Sequence, residues 1–176
     1  MKQRAADIWA LFILASIVGV FFYKTITSGL LPIPSDTLVG LYHPWRDVYA
    51  EQYPRGVPFK NPLITDPIRQ QIPWRSTAID QWNDGLVSGW NPYTLSGQPL
   101  VGNIQAAVFQ PLNLLFAVLP FASAWSVLIM VQVFLMGAFM YAYVRHLGTS
   151  VAVSLLGSVS WAFSGFSIAW LTWMHP

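Results

Sequence analysis

The sequence predicts an all-α polytopic membrane protein, with three transmembrane helices and a long external loop that carries amphipathic and interfacial helices. Hydrophobic residues make up 55% of the 176 positions and charged residues only 9%. After Asp84, residues 85–176 contain a single Lys or Arg, which is Arg145, and a soluble domain of that length would not stay soluble with one charge. Apolar runs long enough to cross a bilayer flank a polar middle stretch, so we expect the chain to enter the membrane on both sides of it.

Composition also excludes several classes of site. The chain has no cysteine, which excludes disulfides and thiolate metal sites. Its net charge of +2 gives no indication of nucleic-acid binding. Phosphate-binding Walker loops, G-x-S-x-G and H-E-x-x-H motifs do not occur in the sequence.

Residues 1–31 are predicted to form the first transmembrane helix. The apolar run that starts at Ile8 can continue to Leu31, which is long enough to span. Lys2 and Arg4 precede it, so the positive-inside rule predicts a cytoplasmic N-terminus. The alternative is a cleaved signal peptide, but the apolar region is long for one and no clear A-x-A site follows it.

Residues 32–119 are predicted to form the external loop. They contain six of the seven acidic residues and five of the nine basic ones. The part from Val101 to Leu119 turns apolar, but amides and a proline interrupt it. That pattern favours an interfacial or re-entrant segment over a clean span.

Residues 120–176 are predicted to hold the second and third transmembrane helices. The second runs uncharged from Phe121 and ends at Arg145-His146, which indicates a cytoplasmic end. After the short turn "LGTS", the third runs from Val151 to Trp173 and returns outward. Three spans are few for a polytopic enzyme or transporter, so we expect this chain to be the N-terminal part of a longer protein.

The external loop contains an internal echo. "PWRDVYAEQYPRG" begins at Pro44 and "PWRSTAIDQWNDG" begins at Pro73. Both read P-W-R, five residues, Q, an aromatic, two residues and G. We interpret them as copies of one structural unit, with chance similarity in a Trp-rich loop as the alternative.

The second copy has helical periodicity. One predicted face carries Trp74, Ala78, Trp82 and Leu86, while Arg75, Asp80 and Asp84 are predicted to point elsewhere. Proline in the first turn and glycine near the end are typical helix boundaries. Such a helix can lie on the membrane surface or pack on the protein's own core.

Asp66 is the main candidate for chemistry. A carboxylate near the membrane can deprotonate an acceptor hydroxyl or hold a divalent cation against a phosphate, and nearby arginines can clamp phosphate oxygens. The residues that would assist it are Arg69, Gln70, Trp74 and Arg75. The competing interpretation is structural, because Asp66 followed by Pro67 makes a good helix N-cap. Asp36 is the second candidate acid because it directly follows the first span, although a solvated loop acid is the commoner role.

The stretch from Gly89 to Pro111 supplies the remaining candidates, which combine aromatic faces with amides. They are Trp90, Asn91, Tyr93, Asn103 and Gln105. Aromatic faces and amides suit a sugar, so the functional interpretation is one wall of a sugar or lipid-phosphate site. The structural alternative is a rigid re-entry loop with an aromatic anchor.

Three blocks in order resemble the YfhO-type bacterial membrane proteins, which look like members of the GT-C glycosyltransferase superfamily. They are "TDPIRQQIPWR", "GWNPYTLSGQPLVGNIQAAVFQPLNLLF" and "WAFSGFS". The resemblance covers about residues 30 to 170. It implies a multi-pass enzyme of the bacterial cytoplasmic membrane that passes a sugar from a polyprenyl-phosphate carrier to a cell-surface glycan or polymer acceptor. The essential acid in the first external loop would be Asp66 or Asp36.

The resemblance leaves the sugar, the acceptor and any metal open. The partners that it implies are membrane lipid, a lipid-linked sugar donor and the surface acceptor. No nucleic acid is expected. The alternative functions are a transporter or flippase subunit and a non-enzymatic membrane assembly protein. Ion-coupled transport needs ionisable residues inside the spans, and the predicted spans contain essentially none.

Overall fold

A computed structural model describes residues 2–171. The described chain is mostly helical, as predicted. Its α-helices are α1 (Lys2–Phe21), α2 (Tyr23–Ser28), α3 (Ser35–Leu41), α4 (Trp45–Val48), α5 (Ile72–Asn83), α6 (Leu115–Val118), α7 (Phe121–His146), α8 (Val151–Ala162) and α9 (Gly165–Leu171). A π-helical turn, two 3₁₀ helices and two short strands complete it: Pro67–Gln71, Ile104–Ala106, Pro111–Leu114, β1 (Trp90–Asn91) and β2 (Gln98–Pro99).

The chain divides into two compact units. Unit 1 contains residues 2–32 and 122–171, and unit 2 contains residues 33–121. In unit 1, α1 and α7 are long and apolar enough to cross a membrane. The pair α8 and α9 passes the same test only if it counts as one span with a 46° bend. The third predicted span reaches Trp173, so its last residues lie outside the described part.

Helix α1 packs through a narrow stripe. Ala10, Leu14 and Val18 recur every four residues and are buried, as is Phe22 just after the helix, whereas neighbours such as Trp9 on the other face are exposed. Since residues four apart share one side of a helix, α1 gives one face to the bundle. The opposite face is apolar and exposed, as expected for a helix surrounded by lipid.

Small residues bring the helices of unit 1 together. A Cβ added at Gly137 of α7 would lie 2.9 Å from Leu14 Cδ2 and 3.1 Å from Ser158 Oγ. The Ser158 hydroxyl also donates to the Gly137 carbonyl at 2.8 Å. Close approach at small residues, with a serine bonding across, is typical of helix packing in membranes.

These contacts fix the helix directions within unit 1. Along α1, Asp7 contacts Tyr141 and Leu14 lies against Gly137, so α1 and α7 run antiparallel. The ring of Phe21 lies 5.2 Å from that of Phe163, after α8, so α1 and α8 run parallel. The first residues of α1 and the last residues of α7 therefore share one end of the unit.

The first predicted helix, residues 1–31, forms two consecutive helices in the structure. It begins at Lys2, ahead of the apolar run, and so includes Asp7. It is interrupted at Phe22 and continues as the short α2, which Gly29 ends with a φ of 64°. Asp7 is thus an ionisable side chain within α1, one of the helices long and apolar enough to cross a membrane.

The bend between α8 and α9 falls in "FSG". The Ser164 hydroxyl oxygen accepts from the Ser167 backbone N–H at 3.2 Å, and the Ser167 hydroxyl donates to the Trp161 carbonyl at 3.0 Å. Serine side chains thus satisfy backbone groups where the helical ladder is interrupted, which is how a broken helix is tolerated in an apolar setting.

Unit 2 has a small core beneath α5. Ala78, Leu100, Ala106 and Val108 are buried together, and Trp74 and Trp82 pack against them. The predicted tryptophan face is thus confirmed as far as Trp82, and it packs on the unit's own core. Leu86 lies beyond the helix and is exposed.

The other predicted face of α5 is only partly correct. Asp80 and Asp84 are exposed, but Arg75 is buried. Pro73 stands in the first turn, and Gly85 follows the end with a φ of 73°, as the boundary signals predict.

The internal echo does not form two copies of one structure. The second copy folds as the three-turn α5, whereas the first forms the single turn α4 in an exposed stretch, residues 43–56. Pro54 occupies the position equivalent to Asn83, and Tyr49 that of the buried Ala78. A proline disfavours helix in the residue before it, and a tyrosine does not fit where a methyl group is enclosed.

The segment from 101 to 119 forms no membrane-length helix. It contains the two 3₁₀ helices and α6, joined by turns. The expectation that this segment is not a clean span is confirmed.

Candidate functional site

Asp66 stands at the start of the π turn. The Thr65 carbonyl accepts from the backbone N–H groups of Ile68 at 3.1 Å and Arg69 at 3.0 Å, and Pro67 occupies the first position of the turn. Asp66 has helical angles, so its side chain makes no capping hydrogen bond. The predicted cap is thus correct in position but not in its side-chain bond.

The carboxylate of Asp66 is available for other chemistry. The side chain is half-buried, and within residues 2–171 it has neither a hydrogen bond nor an ion pair. Single π turns inside helices occur often at functional sites. The turn continues directly into α5, so a rigid helix holds the acid in place.

Both carboxylate oxygens of Asp36 accept hydrogen bonds from the backbone. Its Oδ1 accepts from the Thr37 N–H at 3.2 Å, and its Oδ2 accepts from the Lys60 N–H at 2.8 Å. The returning chain packs close by, since a Cβ at Gly40 would lie 2.4 Å from the Phe59 ring. Asp36 therefore joins α3 to the far end of the exposed loop, which is a structural role.

Arg69 lies one turn after Asp66 on the same element. It is exposed, and its Cζ is 5.6 Å from the centroid of the Tyr42 ring. A guanidinium over an aromatic face is stabilised by cation–π attraction and keeps its N–H groups free for an anion. Tyr42 ends α3, so the contact brings the π turn to the end of α3 opposite Asp36.

Arg75 is placed differently from Arg69. Its relative exposure is 1%, and burial lowers the pKa of its guanidinium to about 10. The group still carries its charge at neutral pH. Gln70 and Trp74, the other candidates of this block, are half-buried, and Trp74 belongs to the core of unit 2.

The aromatic candidates belong to a β-hairpin. Strands β1 and β2 pair antiparallel, with Trp90 opposite Pro99 and Asn91 opposite Gln98. Trp90 and Tyr93 are exposed. Asn91 is buried and used by the turn, because its Oδ1 accepts from the Tyr93 N–H at 2.9 Å.

The last two candidates form a turn of their own. Asn103 Oδ1 accepts from the Gln105 backbone N–H at 3.1 Å and so caps the first 3₁₀ helix. Gln105 is half-buried. The structural role of Asn103 leaves the Gln105 amide as the group that a ligand can use here.

Three buried amide oxygens of unit 2 are additional candidates that sequence reasoning missed. Gln71 Oε1, Gln110 Oε1 and Asn113 Oδ1 are enclosed without a hydrogen-bond donor from the described residues. Asn113 donates through Nδ2 to the Ala107 carbonyl at 2.6 Å, which fixes the orientation of its amide. Buried acceptors without donors need a partner such as water or a ligand hydroxyl. For Gln110 and Asn113 the only sign in the sequence is an amide that interrupts an apolar stretch, whereas Gln71 lies among other polar residues.

A second polar cluster lies in unit 1. Asp7 Oδ1 accepts from the Tyr141 hydroxyl at 2.6 Å and from Arg145 Nε at 2.8 Å. Arg145 also donates through Nη1 to the Thr149 carbonyl. The Thr149 and Ser154 hydroxyls lie 2.7 Å apart. This cluster joins α1, α7 and the start of α8, and its partners are 138 residues apart in the chain.

No group of three or more His, Cys, Asp or Glu side chains suited to a metal ion occurs within residues 2–171. No protein-family model, curated protein or solved structure matches this chain. The resemblance to YfhO-type proteins thus depends on its three sequence blocks.

Proposed function

We propose that this chain is the N-terminal part of a YfhO-type membrane glycosyltransferase, which transfers a sugar from a polyprenyl-phosphate carrier to an extracytoplasmic acceptor. The observation that carries the proposal is Asp66, a half-buried carboxylate without a partner among the described residues. It lies in the acid–glutamine–proline block of the resemblance, one turn from the exposed Arg69.

The proposed setting is the bacterial cytoplasmic membrane, with the N-terminus inside and residues 32–119 outside. Lys2 and Arg4 lie in the first turn of α1, and Arg145 and His146 end α7. The Asp7–Arg145 contact brings these ends together, which supports a common, cytoplasmic side. In this topology α8 and α9 form the third span.

The proposed reaction is a displacement at the anomeric carbon. Asp66 takes the proton of the acceptor hydroxyl, and the acceptor oxygen forms a bond to that carbon. The bond from the carbon to the carrier phosphate breaks, and the phosphate leaves with the electron pair. The configuration at the anomeric carbon is inverted, and the products are the glycosylated acceptor and the free lipid phosphate.

Of the two arginines, Arg69 suits the departing phosphate. Its guanidinium is exposed on Tyr42, and a fixed cation stabilises developing negative charge. Arg75 is buried and would have a structural role in α5. Trp90 offers an exposed ring for a sugar face, and Gln70 and Gln105 offer amides.

The test is Asp66→Asn in the complete gene, expressed in cells that lack it. A positioned general base contributes roughly 100- to 10,000-fold in rate, equivalent to about 3 to 5 kcal/mol of barrier. We therefore expect sugar on surface polymers to fall to background. The matched control is Asp84→Asn, which neutralises an exposed acid of the same unit and should leave the sugar unchanged.

Membrane protein levels must be equal in the three strains. Wild-type sugar content in the Asp66→Asn strain would exclude Asp66 as the base. If the wild-type gene itself leaves surface sugar unchanged, the glycosyltransferase proposal fails. The assembly and transport alternatives would then take precedence.

A further inference from the structure

The β-hairpin of unit 2 carries apolar side chains at its tip. Tyr93 is 82% exposed and Leu95 is 93% exposed. Neither the Tyr93 ring nor the Leu95 side chain packs in the core of the unit, which lies under α5. A nearly complete exposure of a leucine at a loop tip is unfavourable in water, so the surroundings of this tip need an explanation.

The backbone of the tip is firmly held. Asn91 accepts from the Tyr93 N–H and donates through Nδ2 to the Thr94 hydroxyl at 3.0 Å. The Trp90 indole lies on Gly97, where a Cβ would be 2.5 Å from Nε1. The hairpin thus presents its tip as a fixed structure.

Leu95 also has a strained backbone. Its φ is 51°, in the left-handed region that non-glycine residues adopt at a cost on the order of 1 kcal/mol. Glycine or asparagine would suit this position better. The residues that the structure describes do not bury this leucine, so burial among them does not offset the cost of its conformation.

The distribution of charged residues indicates what surrounds the hairpin tip. Residues 85–144 contain no Asp, Glu, Lys or Arg. In the part of this stretch that belongs to unit 2, further large apolar residues are exposed: Ile104, Phe109, Leu114 and Val118. In the same unit, the exposed loop of residues 43–60 carries Arg46, Asp47, Glu51, Arg55 and Lys60. Water suits the charged loop, whereas a surface that is apolar, aromatic and uncharged suits lipid.

We propose that the hairpin tip, Tyr93 and Leu95, inserts into the bilayer at the boundary between headgroups and acyl chains. Leu95 would enter the acyl region, and Tyr93 would keep its hydroxyl at headgroup depth. The contact would anchor unit 2 to the membrane through its own hairpin. The inference does not depend on the glycosyltransferase proposal, because it needs no substrate.

The natural absence of cysteine allows a direct test with single-cysteine variants. Leu95→Cys and Tyr93→Cys would each be labelled with an environment-sensitive fluorophore. The full chain would be reconstituted into vesicles of phosphatidylcholine and phosphatidylglycerol. Two quenchers report the surroundings: nitroxide on the lipid acyl chains, and iodide in the water. Gln52→Cys, in the exposed charged loop, is the matched control in water, and Val20→Cys, on the exposed face of α1, is the control in lipid.

We expect labels at 95 and 93 to be quenched by the lipid nitroxide several-fold more than the label at 52, and to be protected from iodide. The label at 20 should behave as they do. Quenching at 95 and 93 by iodide, as at 52, would place the tip in water and overturn the proposal. Protection from both quenchers would mean that protein covers the tip, from a second copy or another segment, and would equally overturn it.

Discussion

Asp36 and Asp66 each follow a hydroxyl residue in the sequence, but their carboxylates have different environments. Asp36 is bonded to two backbone N–H groups, whereas Asp66 has no bond of this kind within residues 2–171. Spacing alone could not separate them, because the Lys60 amide that occupies Asp36 is 24 positions away. The same limit applies to Arg75, whose burial depends on elements that α5 meets only after folding.

Gly137 is the residue on which close packing in unit 1 depends most directly. Gly137→Ala would place a methyl group against the buried Leu14 and Ser158 side chains, and overpacking of this kind costs about 1 to 3 kcal/mol. We expect a lower unfolding temperature for the purified protein in detergent. Gly19→Ala is the control, since a Cβ there meets no atom within 4 Å. Equal unfolding temperatures for Gly137→Ala and wild type would contradict this account of the helix junction.

At the scale of elements, α5 could be predicted well and α1 less well. The tryptophan face, the first-turn proline and the terminal glycine of α5 follow from local chemistry. The environment of Asp7 in α1 does not, because its partners Tyr141 and Arg145 lie 134 and 138 residues further along the chain. Its place inside the helix becomes favourable through Arg145 and Tyr141, which no local pattern reveals. The two echo segments differ for a local reason that is visible in the sequence, namely Pro54.

The ion pair between Asp7 and Arg145 should hold α1 to α7. Asp7→Asn leaves Arg145 without an opposite charge beside it, and Arg145→Met does the same to Asp7. We expect both to lower the unfolding temperature in detergent. The exchanged pair, Asp7→Arg with Arg145→Asp, should recover part of the loss because it restores opposite charges between the same two helices. Tyr141→Phe should cost less than either single change, since the pair remains. Failure of the exchanged pair to exceed both singles would show that the charges do not act as a pair.

At the scale of the whole chain, charge distribution predicts the division into a polar unit and an apolar one. Six of the seven acids lie in residues 32–119, and the structure has its separate compact unit there. The buried amides of Gln71, Gln110 and Asn113 could not be predicted in the same way. Their enclosure results from turns that bring together segments without periodic pattern.

The proposed topology predicts which side of the membrane each loop faces. Gln52→Cys should react with a membrane-impermeant maleimide in intact cells whose outer barrier is permeable to it. Leu147→Cys, in the exposed turn after α7, should react only after the cytoplasmic membrane is opened, because the basic residues beside it favour the cytoplasm. Labelling of both positions before opening, or of Leu147→Cys alone, would contradict the arrangement.

The bond from Asp36 to the Lys60 amide also bears on how this chain can change over evolution. It closes the excursion of residues 37–59 at its base, and the exposed part of that excursion contributes nothing to the core beneath α5. The entropy of closing a loop rises only slowly with its length. Insertions or deletions within the exposed residues 43–56 should therefore leave the rest of unit 2 intact. This excursion is the natural place for relatives to differ in length and to acquire new recognition segments.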